Sequence, residues 1–403
     1  MKYSSGTATG LRLAYAVCVG FVLVLLASAV FPPTAFANDF GGNTGAGGPG
    51  GGGGPGAGSC GPGGGGGSGG PGGGGGGGGG GPGGPGNSNG AGSAPSAGGP
   101  VAFFSGAETI DADDLIVRGV FPIRVHRQYD SQTDYDSPLG HGWSLEFDRR
   151  LYQYPDNSVV IRYGCGIKDR YTYSGGSYAA PAGVGRLANL VQQPDGTFQL
   201  TYLNGIRDYY DAQGRLTAFQ DAQGNRQELT YDSRGKLPLM GTSKHALDPT
   251  APLTVAYNYR LTRIDERSAD GVLTGHFITL AYDGASGRLT SITANDNRSV
   301  TYAHDVQPDG TTRGNLTQVN GLAGIVSTYQ YNDPNDLHNV TQDTPVAGKA
   351  SYVNTYDNQD RVTRQVFGTR QLDFEYTIPL TKTKLTTTVT DANGANPYTQ
   401  IEY

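Results

Sequence analysis

From residue 101 onward the chain is written in short runs of alternating apolar and polar positions. Leu229 stands two residues before Tyr231, Val255 before Tyr257, Ile278 and Leu280 before Tyr282, and Val300 before Tyr302. Residues two apart share one face of a strand, so each tyrosine and its aliphatic neighbours line a single side. Glu228, Thr230, Thr279 and Thr301 fall on the other side. That period predicts half-buried β-strands, and no comparably long segment carries a helical period. Between the strands Asp-x-x-Gly recurs, in which Asp bonds its own backbone and Gly accepts positive φ.

The alternation is itself repeated. From Tyr210 the order is Tyr-Asp, two residues, Gly-Arg-Leu-Thr, then Asp-x-x-Gly-Asn and a strand returning to Tyr231-Asp232. Tyr282-Asp283 leads to Gly287-Arg288-Leu289-Thr290, Gly314-Asn315-Leu316-Thr317 repeats the second half, and Tyr356-Asp357 leads to Arg361-Val362-Thr363 with Asp360 in the glycine position. Nine equivalent tyrosines (Tyr210, Tyr231, Tyr257, Tyr282, Tyr302, Tyr331, Tyr356, Tyr376 and Tyr403) are spaced about 24 residues apart, within the range of repeat architectures. One such hairpin cannot bury its oily face alone, and stacking neighbours does. The expected fold is all-β: a long, curved antiparallel sheet of stacked hairpins with almost no helix.

Composition divides the rest of the chain. Of 67 glycines, 37 lie in residues 41–100 with eight prolines and no aromatic residue. The tract lacks the Gly-X-Y period of collagen and has too few apolar side chains to build a core. Residues 38–100 are therefore expected to be a disordered linker, reaching roughly 40–45 Å end to end. A phosphate-binding glycine loop would need a preceding strand and a following Lys-Ser/Thr, and neither is present. Upstream, Lys2 and Arg12 precede an uncharged run from Leu13 to Phe31, and Ala35-Phe36-Ala37 has the small-x-small form of a signal-peptidase site. Residues 1–37 are read as a signal peptide or an uncleaved membrane anchor, with the body secreted or in the cell envelope.

Charge and reactive residues narrow the function. Residues 101–403 hold 27 basic and 34 acidic side chains, which argues against a nucleic-acid partner. Cys60 and Cys165 cannot form a disulfide framework and have no zinc spacing. His126, His141, His245, His276, His304 and His338 show neither metal spacing nor a partner nucleophile, and His141 is expected to serve a structural turn. Asp111, Asp113 and Asp114 lack the spaced ligands of a calcium loop and are expected in a solvated turn. The sequons at Asn297, Asn315 and Asn339 are expected to carry no glycan, two of them arising from the repeat's own Asn-Leu/Val-Thr pattern. No catalytic, cofactor or metal residue is assigned, and the chain is expected to be no enzyme.

The repeat grammar resembles the YD repeats of Rhs proteins, a family that extends to insecticidal toxin-complex shells and teneurins. Upstream, Arg127-Gln128-Tyr129-Asp130-Ser131 and Gly140-His141-Gly142-Trp143 resemble the Arg-x-Tyr-x-Ser and Gly-x-Gly-Trp signatures of the domain that opens many Rhs cores. The family's opening Gly-x-Pro-Val-x is replaced by Ser105-Gly106-Ala107-Glu108-Thr109. The boundaries expected are 101–205 for an Rhs-type N-terminal β domain and 206–403 for the repeats. In the family such sheets spiral into a shell around a toxic C-terminal domain. Neither the family's dense end-of-shell motif nor a toxin follows here, so the chain is expected to be a truncated or split product with an open edge at residues 396–403. The resemblance implies a non-enzymatic structural or interaction platform at the cell surface, able to take a protein partner by strand addition. Its alternatives are the N-terminal part of a polymorphic toxin system, or a protein that binds or acts on cell-surface carbohydrate.

Overall fold

A computed structural model describes residues 96–97, 101–102, 105–133, 135–164, 166–181, 188–232, 260–305, 314–377, 386–391 and 398–402. The signal or anchor, most of the glycine linker, Cys60, Cys165, His245, Val255, Tyr257 and Tyr403 lie outside the described residues.

The opening segment is built of short strands: β1 (Ser96–Ala97), β2 (Val101–Ala102), β3 (Thr109–Val117), β4 (Ile123–Asp130), β5 (Asp136–Ser137), β6 (Gly140–His141), β7 (Trp143–Leu145), β8 (Arg150–Gln153), β9 (Val159–Arg162), β10 (Lys168–Ser174) and β11 (Ser177–Ala179). They pair as β1 with β2, β5 with β6, a three-stranded sheet in the order β3-β4-β7 and a four-stranded sheet in the order β11-β10-β9-β8.

The repeats form one sheet of 17 strands: β12 (Ala188–Gln192), β13 (Phe198–Tyr202), β14 (Arg207–Tyr210), β15 (Leu216–Gln220), β16 (Arg226–Asp232), β17 (Arg260–Arg267), β18 (Leu273–Tyr282), β19 (Leu289–Ala294), β20 (Ser299–His304), β21 (Leu316–Asn320), β22 (Val326–Gln330), β23 (Gln342–Thr344), β24 (Tyr352–Tyr356), β25 (Val362–Phe367), β26 (Arg370–Thr377), β27 (Thr386–Asp391) and β28 (Tyr398–Glu402). Their spatial order is their sequence order and each pair is antiparallel, so the sheet is a pure meander. Its first strand begins at Ala188, upstream of residue 206. A single 3-10 turn, Leu322–Gly324, is the one helical element among the described residues.

The fold is thus all-β, as the alternation required. Leu229, Ile278, Leu280, Val300 and Tyr302 are buried on one face, together with Leu216, Leu289, Leu316 and Val319. One apolar cluster runs through both parts of the described chain, from Leu115, Val125, Trp143 and Tyr163 in the opening segment to Ile264, Ile292 and Val340 in the sheet. The opening segment therefore covers the oily face of the hairpins.

The structure adds a feature that simple alternation does not contain. The ladder slips by one residue beside Tyr210, Tyr231, Tyr282 and Tyr356, the tyrosines of the Tyr-Asp pairs. Each slip is a β-bulge, which bends the strand and re-aims the side chain that follows.

Candidate functional site

Five of the repeat tyrosines reach back across their hairpin and donate the hydroxyl to a carbonyl at or next to the start of the preceding strand, while Tyr210 and Tyr302 instead meet the carboxylates of Asp208 and Asp114. Tyr231 bonds Leu216 at 2.7 Å, Tyr282 bonds Leu261 at 2.6 Å, and Tyr331, Tyr356 and Tyr376 bond Leu316, Val340 and Val362 at 2.7 Å each. These acceptors are the Leu or Val of the Arg/Asn-Leu/Val-Thr motif. The following threonine bonds the carbonyl at the bulge on the strand before it, as Thr217 does to Tyr209 and Thr363 to Thr355. The repeat Asp closes the turn: Asp211 accepts from the amides of Gln213 and Arg215 and from the Arg215 guanidinium. Asp357 does the same for Gln359 and Arg361. The repeat Arg then lies over the following tyrosine ring, with Arg215 5.6 Å from the Tyr231 centroid and Arg361 4.6 Å from that of Tyr376. Asp360, in the glycine position of its turn, adopts φ of +58° and lends its carbonyl to Ser131 and its carboxylate to Asn339.

The Tyr-Asp turns lie along one border of the sheet, and there the opening segment clasps the repeats through backbone groups. The amide of Leu151 donates to the Gly214 carbonyl at 3.0 Å and that of His141 to Gly314 at 3.1 Å. In the other direction Leu289 donates to Pro138, Val362 to Gly106 and Val340 to the Tyr129 hydroxyl. Gly214 has no freedom here: its φ is +76°, and an added Cβ would lie 1.9 Å from the Leu151 carbonyl oxygen. Gly314 is held likewise by the Arg288 guanidinium.

Side chains complete the clasp with buried polar pairs, which must be satisfied to be tolerated. Arg127 meets the Asp114 carboxylate at 2.8 and 3.0 Å and donates to the Tyr329 hydroxyl, while Tyr302 donates to Asp114. Burial lowers the Arg127 pKa, but the charge of Asp114 more than offsets this and the group is pushed up overall. Arg149 pairs with Asp208 at 2.6 Å under the hydroxyl of Tyr202. Glu266 accepts the Phe121 amide at 2.6 Å, and Arg288 grips Asp136 and the Ser137 carbonyl. Trp143, fully buried, donates its indole N–H to Tyr331 at 2.9 Å.

Residues singled out from the sequence fall differently in this frame. Asp111, Asp113 and Asp114 lie within β3, not in a solvated turn. A bulge between Asp113 and Leu115 turns Asp114 inward to Arg127, while Asp111 and Asp113 bracket His126 on the outer face. Burial lowers the His126 pKa, but its bonds to the two carboxylates outweigh that and raise it to about 9. His141 stands in β6 and stacks on His338, His304 bonds the Leu139 carbonyl, and His276 bonds Glu266. Asn315 and Asn339 are buried and hydrogen-bonded inside the repeat turns, whereas Asn297 sits in a hairpin turn at φ of +67°. Among the described residues no group of three His, Cys, Asp or Glu is placed to hold a metal ion.

Sequence reading missed a buried acid pair. Glu108, in the opening segment, accepts from Gln365 at 3.2 Å and leaves its other carboxyl oxygen without a partner; Asp343, in β23, also has one unpartnered oxygen. Burial, then the charge of Asp343, pushes Glu108 well above the usual carboxylate range. Burial raises Asp343 to about 7 against the pull of Arg127.

Comparison with known proteins agrees with this construction. Residues 98–171 match a domain of unknown function, DUF6531, and residues 210–244 match the RHS repeat. The chain thus carries an RHS repeat behind a DUF6531 domain. No curated protein matches it. Among solved structures, the N-terminal domain of the effector protein SpvB from Salmonella typhimurium strain LT2 aligns over 73% of this chain and 98% of its own, at 14% identity and a TM-score of 0.27. A porin-like protein from Bacteroides uniformis ATCC 8492 aligns over 72% and 96%, at 13% identity and 0.24. The Tc holotoxin pore of Photorhabdus luminescens aligns over 73% of this chain but 14% of its own, at 13% identity and 0.18.

Proposed function

We propose that this Rhs-type chain is an exported, non-enzymatic interaction platform: a YD-repeat sheet held at the cell surface or secreted by its N-terminal segment. One observation carries the reading. The chemistry-bearing groups of the repeat are spent on construction, with tyrosine hydroxyls on strand carbonyls, aspartates on turn amides and arginines on tyrosine rings. The same use of tyrosine weighs against sugar stacking on the repeat rings, since Tyr210, Tyr302, Tyr331 and Tyr356 are buried.

A partner is expected at β28, which pairs with β27 and with no other described strand. A strand paired on one border only offers backbone donors and acceptors of the kind that template strand addition. A second reading, favoured by the RHS repeat match, makes the chain the N-terminal part of a polymorphic toxin system whose further shell and toxin are supplied separately.

Export is tested by fractionating cells that carry the full chain or a variant lacking residues 2–37; equal retention in the cytoplasm refutes it. Strand addition is tested by sedimentation over a concentration series with hydrogen exchange at residues 398–402. A strict monomer with that strand fully protected on both borders refutes docking there. A glycan array followed by product analysis addresses catalysis, and cleavage of any bound sugar overturns the non-enzyme assignment.

A further inference from the structure

Two imidazoles meet face to face where the opening segment enters the repeat border. His141 of β6 and His338 of the turn between β22 and β23 have ring centroids 3.7 Å apart and planes inclined by 13°. The proton positions on His338 follow from its neighbours. The Asn315 side-chain nitrogen donates to Asp305 and to the Leu337 carbonyl, which leaves the Asn315 oxygen to accept from His338 Nδ1 at 2.7 Å. Nδ1 therefore carries a hydrogen, and a neutral ring keeps Nε2 bare. On either side lie the backbone bonds of the clasp, His141 to Gly314 and Leu289 to Pro138.

The geometry points to an acid-operated clasp: protonation of both stacked rings drives them apart and releases the 135–141 loop from the repeat turns. Stacked neutral imidazoles attract, whereas two imidazolium ions at van der Waals distance repel. The surrounding charges do not cancel that repulsion without giving up other bonds. Asp136 grips Arg288, Asp305 bonds the Asn315 amide and side chain, and Asp336 accepts the His338 amide. Arg288 faces the same loop as a fixed positive charge, and His304 gains one on protonation, while the Tyr129 hydroxyl donates to the His338 carbonyl. In keeping with this, burial and then His141 lower the His338 pKa, and burial lowers that of His304. A histidine held below its usual 6.5 favours the folded state above about that pH, and the benefit is lost as pH falls through the folded value.

The experiment is hydrogen exchange by mass spectrometry on the full chain at pH 7.5 and 5.0, corrected for intrinsic exchange, reading peptides that hold the His141 and Leu289 amides. Protection there is expected to fall at least about tenfold at pH 5.0, with Leu200 in β13 unchanged. His338→Phe keeps an aromatic face without a titrating nitrogen, so its clasp peptides should stay within about twofold between the two values. Equal protection of the wild type at both values overturns the proposal, as does the same acid loss in His338→Phe. Should that variant fail to fold, ring titration of the wild type by NMR decides. Two rings fully protonated while the clasp amides remain protected overturn it; ring protonation that tracks clasp opening supports it.

Discussion

Replacing Tyr331 by Phe removes one oxygen and tests the account of the clasp at a buried point. That hydroxyl donates to the Leu316 carbonyl at 2.7 Å and accepts the Trp143 indole N–H at 2.9 Å. Trp143 has no exposed surface, so water cannot replace the lost acceptor without opening the interface. Leaving a buried donor or acceptor unsatisfied costs about 1–3 kcal/mol, and two groups are orphaned here, so the variant should lose about 2–6 kcal/mol. The chain has a single tryptophan, so fluorescence during equilibrium urea unfolding reports this contact alone. Tyr173→Phe is the control: its ring is 40% exposed, and the change should stay within about 0.5 kcal/mol. A Tyr331→Phe loss no larger than the control's, with unchanged tryptophan emission, would refute the argument that these hydroxyls tie the opening segment to the repeats.

Gly214→Ala should cost about 3 kcal/mol or more in the same assay, because strain at positive φ adds to the clash with Leu151. Gly175→Ala, at φ of +59° with open space around it, should cost only about 1 kcal/mol. Asp114→Asn should cost about 3–5 kcal/mol by stranding the Arg127 charge, and Asp114→Leu combined with Arg127→Met should recover much of it, both read by thermal unfolding. The Glu108–Asp343 pair predicts a pH dependence opposite in sign to that of His338 and His304, whose values are lowered. Both folded values are raised, so the folded state binds more protons and stability declines as pH rises from the ordinary carboxylate range through about 7. The slope should approach about 1.4 kcal/mol per pH unit per proton and flatten in Glu108→Gln with Asp343→Asn, as measured by urea unfolding between pH 5 and 9.

The strands and turns were legible because their signals are local. Period two fixes which of Leu229 and Thr230 faces inward, and Asp-x-x-Gly carries its own turn chemistry. The RHS repeat was legible for the same reason, since phased repeats multiply a weak local pattern. The clasp was not. Arg127 finds Tyr329 across 202 residues, and Phe121 finds Glu266 across 145, separations over which spacing in one sequence is silent. The bulges were hidden too, because a one-residue slip leaves no mark on composition. Asp114 shows the consequence: beside Asp111 and Asp113 it reads as part of a solvated turn, and only the slip in β3 turns it inward.

The meander order of the sheet bears on how such a chain can change length over evolution. Strands that follow one another in space as in sequence can be duplicated or lost as whole hairpins without rethreading. That freedom ends where the opening segment is pinned to individual turns, from Gly214 through Gly314 to Val362. An extra hairpin between those points would move every later contact out of step with Pro138, His141 and Gly106. Growth by repeat insertion is therefore compatible with the clasp beyond Val362 and opposed before it, so hairpin number should vary among homologues on the far side of that residue and stay constant on the near side.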